Sequence, residues 1–209
     1  MTIKLHCFGE SGHSYKVAQA LEFAGVDWEP VFIDFFNGGA RTKEFHELNP
    51  MAEAPVFIDD EKGLKLSQSG VILDYIVEST GKLGPKNDTE RREILRWTLW
   101  DNHKMSAQIG MLRFLMNFLA EEKRPQEVIG FVKGRTKIAF SVLDTALSDR
   151  GWLVGDGLTT ADLSCCSYLY YPEPFGFDRA DWPNIDAWLT RISEMPEWKH
   201  PYDLMPRTA

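Results

Sequence analysis

Cysteine is scarce in this chain of 209 residues, with Cys7, Cys165 and Cys166 the three present. An odd number that includes an adjacent pair suits neither a disulfide framework nor the CxxC spacing of a zinc or dithiol site, so a reducing compartment and no metal are expected. Positive charge is also short. Lys and Arg number 23 against 31 Asp and Glu, and the resulting net charge of -8 opposes a phosphate-backbone binder, which needs a basic face to release counterions. No nucleic-acid partner is expected. Apolar runs stay well below the roughly eighteen residues of a membrane span, and Met1 leads into Ile3 to Phe8 without a basic and then apolar leader. The reading is a cytoplasmic protein without a membrane partner. Internal repeats and low-complexity tracts are missing too, so function has to come from local constellations.

What is present is material for a core, since 44% of residues are apolar and thirteen Phe join seven Trp. The length exceeds the roughly 100 to 200 residues usual for one domain, and two small domains are expected. Ile3 to Phe8 reads as a strand, Gly9-Glu10-Ser11-Gly12 breaks it, and Val17, Ala20, Leu21 and Ala24 then share a helical face closed by Gly25. Trp28 to Phe35 is a second strand, and Arg41 to Leu48 is a short helix stopped by Asn49-Pro50. Val56-Phe57-Ile58 and Leu64-Lys65-Leu66 flank a polar turn as a hairpin, and Ser69 to Val77 is a helix. The order βαβ then ββα is a thioredoxin-like α/β arrangement over residues 1–80. Residues 81–88 have linker composition, and residues 89–209 carry helical periodicity with hardly any strand signal, an all-α domain. Its amphipathic stretches are Thr89 to Leu119, Gln126 to Leu147, Thr159 to Tyr170 and Ile185 to Met195.

Three segments carry chemistry. Ala54-Pro55 follows Asn49-Pro50-Met51-Ala52-Glu53 and precedes a strand. Gln68-Ser69 lies between a strand and a helix, where unpaired N–H groups and the positive end of the helix dipole favour an anion; a plain N-cap is the other reading of Ser69. Ser11-Gly12-His13-Ser14-Tyr15-Lys16-Val17 occupies the first strand-to-helix turn. Together and at this spacing they resemble the signature of the glutathione transferase family, in its serine-type, bacterial-like form, and the resemblance spans nearly the whole chain.

The resemblance implies a cis bond at Ala54-Pro55, with the Ala54 backbone pairing with the cysteinyl unit of glutathione. It implies that Gln68 and Ser69 hold the γ-glutamyl end. It places Ser11 as the hydroxyl that donates to the glutathione sulfur, with Ser14 in reserve or Ser11 a simple helix cap. Glutathione is then a co-substrate that supplies the nucleophile, the second substrate is a small hydrophobic electrophile or a peroxide, and the protein is a homodimer. His103, Ser106, Gly110 and Arg113 recur at helical intervals and, with Tyr168, Tyr171 and Phe175, are candidates for the electrophile's pocket or for an ordinary packed face. Thr159 to Asp162 is a capping box with a structural role. Two departures stand out. Many relatives carry Lys, Arg or Gln at the position of Glu53, so that residue either turns away from the ligand or weakens binding. Isomerase-type members carry Ser-Ser-Cys where this chain has Ser11-Gly12-His13. A non-catalytic binding module, and a glutathione-dependent isomerase or dehalogenase, are the alternative functions.

Overall fold

The computed structural model describes residues 3–207. The chain forms two compact units, one built from the residues up to Gly84 together with those from Pro196 onward, the other from Pro85–Met195.

In the first unit, β1 (Ile3–Cys7), α1 (Gly12–Ala24) and β2 (Trp28–Phe32) make a parallel crossover, with Ile3 opposite Trp28 and Cys7 opposite Phe32. α2 (Lys43–Leu48) leads to β3 (Val56–Asp59), which is antiparallel to both β1 and β4 (Leu64–Ser67), giving the order β2-β1-β3-β4. Pro30 lies on the edge strand, where a missing N–H is tolerated. The strand expected to run to Phe35 stops at Phe32, because the chain reverses on Gly39 N donating to Asp34 O at 2.7 Å and stacks Phe35 on Phe8, ring centroids 4.6 Å apart. α1 begins on the Ser11 cap and ends at Gly25, whose φ of 65° suits a residue without Cβ. It packs against α3 (Ser69–Thr80), which buries Ile72, Leu73 and Ile76.

α1 is buried nearly all round because the segment after Pro196 lies along it. The Tyr15 hydroxyl donates to Lys199 O at 2.8 Å, Gln19 Nε2 to Glu197 O at 3.0 Å, and Gly9 N to Pro206 O at 2.7 Å. Gly9 is needed for this approach: a Cβ there would lie 2.6 Å from Arg207 Cγ. α9 (Pro201–Leu204) belongs to the same segment.

The second unit is helical, and every strand among the described residues lies in the first. α4 (Asp88–Trp100) is capped by Asn87, whose Oδ1 accepts from Thr89 N and Glu90 N at 3.0 Å each. The helix expected from Thr89 to Leu119 is not uniform. Asp101–Ser106 and Phe114–Phe118 take the wider π-type turn on either side of α5 (Ala107–Arg113). Asp101 Oδ1 accepts from the Ser106 hydroxyl five residues on, at 2.8 Å, and its Oδ2 accepts from the Ser164 hydroxyl at 2.7 Å, so one buried carboxylate braces the wide turn. α6 (Gln126–Ala146), α7 (Thr160–Cys166) and α8 (Pro183–Ser193) follow, with residues 167–170 a tighter 3-10 turn. The Thr159 and Asp162 capping box is formed. Asp162 is fully buried and accepts from Thr159 N at 3.0 Å, Leu153 N at 2.9 Å and Trp188 Nε1 at 3.0 Å, a structural anchor that ties three segments together.

Candidate functional site

The loop before β3 is organised by Asn49, a buried residue that follows α2. Its Nδ2 donates to Glu53 O at 2.8 Å and its Oδ1 accepts from Met51 N at 3.1 Å. These bonds fold residues 49–53 into a turn that delivers Ala54-Pro55 to the start of β3, and that peptide bond is cis. Ala54 packs on the small core of Phe8, Ile33, Ala40, Phe45 and Val56. Because Val56 is paired with Ser67, the hairpin register carries Ala54-Pro55 beside Gln68-Ser69.

Gln68 has φ 70° and ψ 112°, a conformation that favours glycine and costs a residue with Cβ about 1 to 3 kcal/mol. The surroundings hold it there: its carbonyl accepts from Val71 N and Ile72 N, at 3.0 and 3.1 Å. Its Nε2 donates to Glu53 Oε2 at 2.8 Å and to Met51 Sδ at 3.2 Å. Glu53 therefore turns neither into a pocket nor freely to solvent but onto Gln68, with both side chains exposed at the rim. Gln68 occupies the N-cap position without a side-chain bond to the helix, so Ser69 is the first residue of α3 and does not cap it. The buried Ser69 hydroxyl lies 3.1 Å from His13 Nδ1.

That contact brings the first turn of α1 to the first turn of α3. Neither turn contains an acidic residue, so both positive helix ends face the site without internal neutralisation. Ser11 caps α1, its Oγ accepting from Ser14 N at 3.1 Å, which leaves the hydroxyl hydrogen to be donated elsewhere. Ser14 is fully buried and its Oγ has no partner among the described residues. Cys7 is sealed in β1, where burial pushes its thiol up to about 12, far from a working nucleophile.

The second-unit candidates divide into two groups. Gly110, Arg113, Tyr168 and Tyr171 come together: a Cβ on Gly110 would meet the Tyr168 hydroxyl at 3.0 Å, and the Arg113 guanidinium lies 3.8 Å from the centre of the Tyr171 ring. Arg113 is buried and its Nη2 donates to Glu173 Oε2 at 2.7 Å, a partner the sequence reading missed. Phe175 is buried nearby in the chain. Ser106 instead faces Asp101 in the core, and His103 is exposed. Glu173 lies outside every motif, and His13, though within the Ser11 to Val17 segment, had no role of its own there; the one hint was that it falls in a helix's first turn, two residues from Ser11. Among the described residues no group of three or more His, Cys, Asp or Glu side chains is placed to hold a metal ion, and no helix is long and apolar enough to cross a membrane.

Comparison with known proteins matches segments in both units. Residues 1–78 match the model of the glutathione S-transferase N-terminal domain, and residues 105–196 match that of the C-terminal domain. The chain is 26% identical over 194 residues to the disulfide-bond oxidoreductase YfcG of Escherichia coli (strain K12), covering 90% of this chain and 89% of the relative. A crystal structure of a possible glutathione S-transferase from Rhodopseudomonas palustris superposes with a TM-score of 0.90 at 27% identity, covering 100% of this chain and 93% of that one. A glutathione transferase from Burkholderia graminis, described with two glutathione molecules bound per subunit, superposes with a TM-score of 0.85 at 26% identity, covering 94% and 85% of the two chains.

Proposed function

Since the chain belongs to the glutathione S-transferase family, we propose that it is an enzyme that binds glutathione in its first unit and stabilises the thiolate for attack on a small electrophile or peroxide. The observation that carries the reading is the convergence of Ala54-Pro55, Gln68-Ser69 and the Ser11 turn through the hairpin register and the Ser69–His13 contact. The ligand's cysteinyl unit pairs with the Ala54 backbone, and its γ-glutamyl carboxylate meets the first-turn amides of α3 and the Ser69 hydroxyl. Ser11 donates its remaining hydrogen to the sulfur beside the N-terminus of α1. A free thiol of pKa about 8.5 is only a few per cent ionised at pH 7; lowering it by about two units takes about 2.7 kcal/mol. A charge-assisted hydrogen bond and a helix end together reach that magnitude.

The second substrate is assigned to the cluster of Gly110, Arg113 and Tyr168, with Arg113 positioned by Glu173 rather than offered as a free cation. The first unit, including the residues from Pro196 onward that were expected in a helical domain of residues 89–209, serves the thiol, and Pro85–Met195 serve the electrophile and subunit contacts in a cytoplasmic homodimer.

The test is titration of bound glutathione by its thiolate absorbance. Wild type should show a thiol pKa about two units below the free value, and Ser11→Ala should return it most of the way. A free-thiol pKa in wild type rejects thiolate stabilisation and favours a non-catalytic binding module. A rise in Ser14→Ala alone assigns the role to Ser14.

The similarity to YfcG supports a second reading, reduction of a disulfide. With all three cysteines buried, both electrons would come from two glutathione molecules, giving oxidised glutathione and two thiols. Turnover of a model disulfide without loss of glutathione to a conjugate would establish that reading over conjugation.

A further inference from the structure

We propose that His13 is a positioning residue for glutathione recognition: it donates Nδ1–H to Ser69 Oγ and so directs the Ser69 hydroxyl hydrogen at the ligand's α-carboxylate. This deepens the reading above and rests on it.

A serine hydroxyl has one hydrogen to donate and lone pairs to accept with. If Ser69 donated to His13, only lone pairs would face an incoming carboxylate, and the contact would be repulsive. If Ser69 accepts from His13, its hydrogen is released toward the anion, where a charge-assisted bond is roughly twice as strong as a neutral one. Imidazole can stand on either side of the 3.1 Å contact, and the tautomer or cation carrying hydrogen on Nδ1 is the one that serves an anion. Three observations favour this use over mere packing. Ser69 is buried, and His13 is its sole side-chain hydrogen-bond partner among the described residues. α3 has no side-chain N-cap, and since Val71 N and Ile72 N already donate to the Gln68 carbonyl, the Ser69 and Gly70 amides are the ones left for a ligand beside the hydroxyl. His13 is in the first turn of α1, two residues from Ser11, so a single ring spans from the turn that handles sulfur to the helix that handles carboxylate.

The experiment compares binding of glutathione and of its analogue lacking the γ-glutamyl α-carboxylate, 4-aminobutyryl-cysteinyl-glycine, by calorimetry, alongside steady-state kinetics. His13→Ala should weaken glutathione about tenfold, which is about 1.4 kcal/mol, with the loss appearing in KM rather than kcat. His13→Asn, whose amide can donate to Ser69 Oγ, should restore most of that affinity. The analogue should bind wild type and His13→Ala equally. His13→Leu, with similar bulk and no donor, replaces the alanine variant if that fails to fold. Unchanged glutathione affinity in the donor-less variant overturns the proposal, as does an equal loss for the analogue, which would mark His13 as structural. If wild type itself bound glutathione no better than the analogue, the carboxylate site at Ser69 would fall instead, a separate failure.

Discussion

Glu53 is a carboxylate that accepts from the amide of Gln68, at a position where the family resemblance leads one to look for a cation or an amide. The bond engages the Nε2 that the proposed γ-glutamyl contact would use. Glu53→Ala frees that donor and removes a negative charge from an exposed rim, where an interaction at about 4 Å amounts to roughly 1 kcal/mol. Glutathione affinity of the variant, measured by calorimetry, should rise about fivefold. An unchanged value would mean that neither the charge nor the released amide reaches the ligand. Only the identity of Glu53 was legible in the sequence; its orientation was not, because an exposed side chain's partner depends on a register that brings residues 53 and 68 together. His13 was hidden for the same reason: its partner lies 56 positions away.

Among the elements, β1 was plain in the sequence, as were α1, the β3–β4 hairpin and the Thr159 box, because each is punctuated by local chemistry: Gly25 with positive φ, the turn before Gly63, a side-chain cap. β2 was read too long since Ile33-Asp34-Phe35 after Phe32 continues the apolar alternation of a strand while serving a turn that packs on Phe8. The wide turns at Asp101–Ser106 could not be read, because they depend on a buried carboxylate shared with Ser164 on another helix. β1 also makes stability depend on pH. Burial, with Lys4 close by, holds the His6 imidazole below its ordinary range, so the folded chain binds that proton less tightly than the unfolded chain. The contribution of His6 is therefore complete above the unfolded pKa of about 6.5 and is lost as pH falls through the lower folded value. Thermal melts between about pH 7 and pH 5 should show Tm dropping more in wild type than in His6→Gln. Parallel curves would show that the imidazole does not couple to folding.

For the whole molecule, large apolar side chains are left uncovered on the helical unit: Leu95 and Leu99 on α4, Phe131 and Ile138 on α6, each more than half exposed. Exposed apolar area of this kind favours association. The proposed homodimer should therefore sediment at twice the mass of one chain, and Phe131→Glu combined with Ile138→Glu should yield monomer that still folds, as judged by circular dichroism. A wild-type monomer at micromolar concentration would contradict the proposal.

The first unit also imposes an order on the protein's synthesis. α1, which Ser11 caps, and the Gly9 turn before it are completed by bonds to Glu197, Lys199 and Pro206. A ribosome working from the N-terminus makes the sheet first, then the whole helical unit, and only then the segment that closes over α1. The nascent sheet must wait, with one face of its first helix bare, until the residues beyond Pro196 have emerged. A message cut short after Gly84 would encode every residue assigned here to glutathione, yet not the surface that keeps them in place.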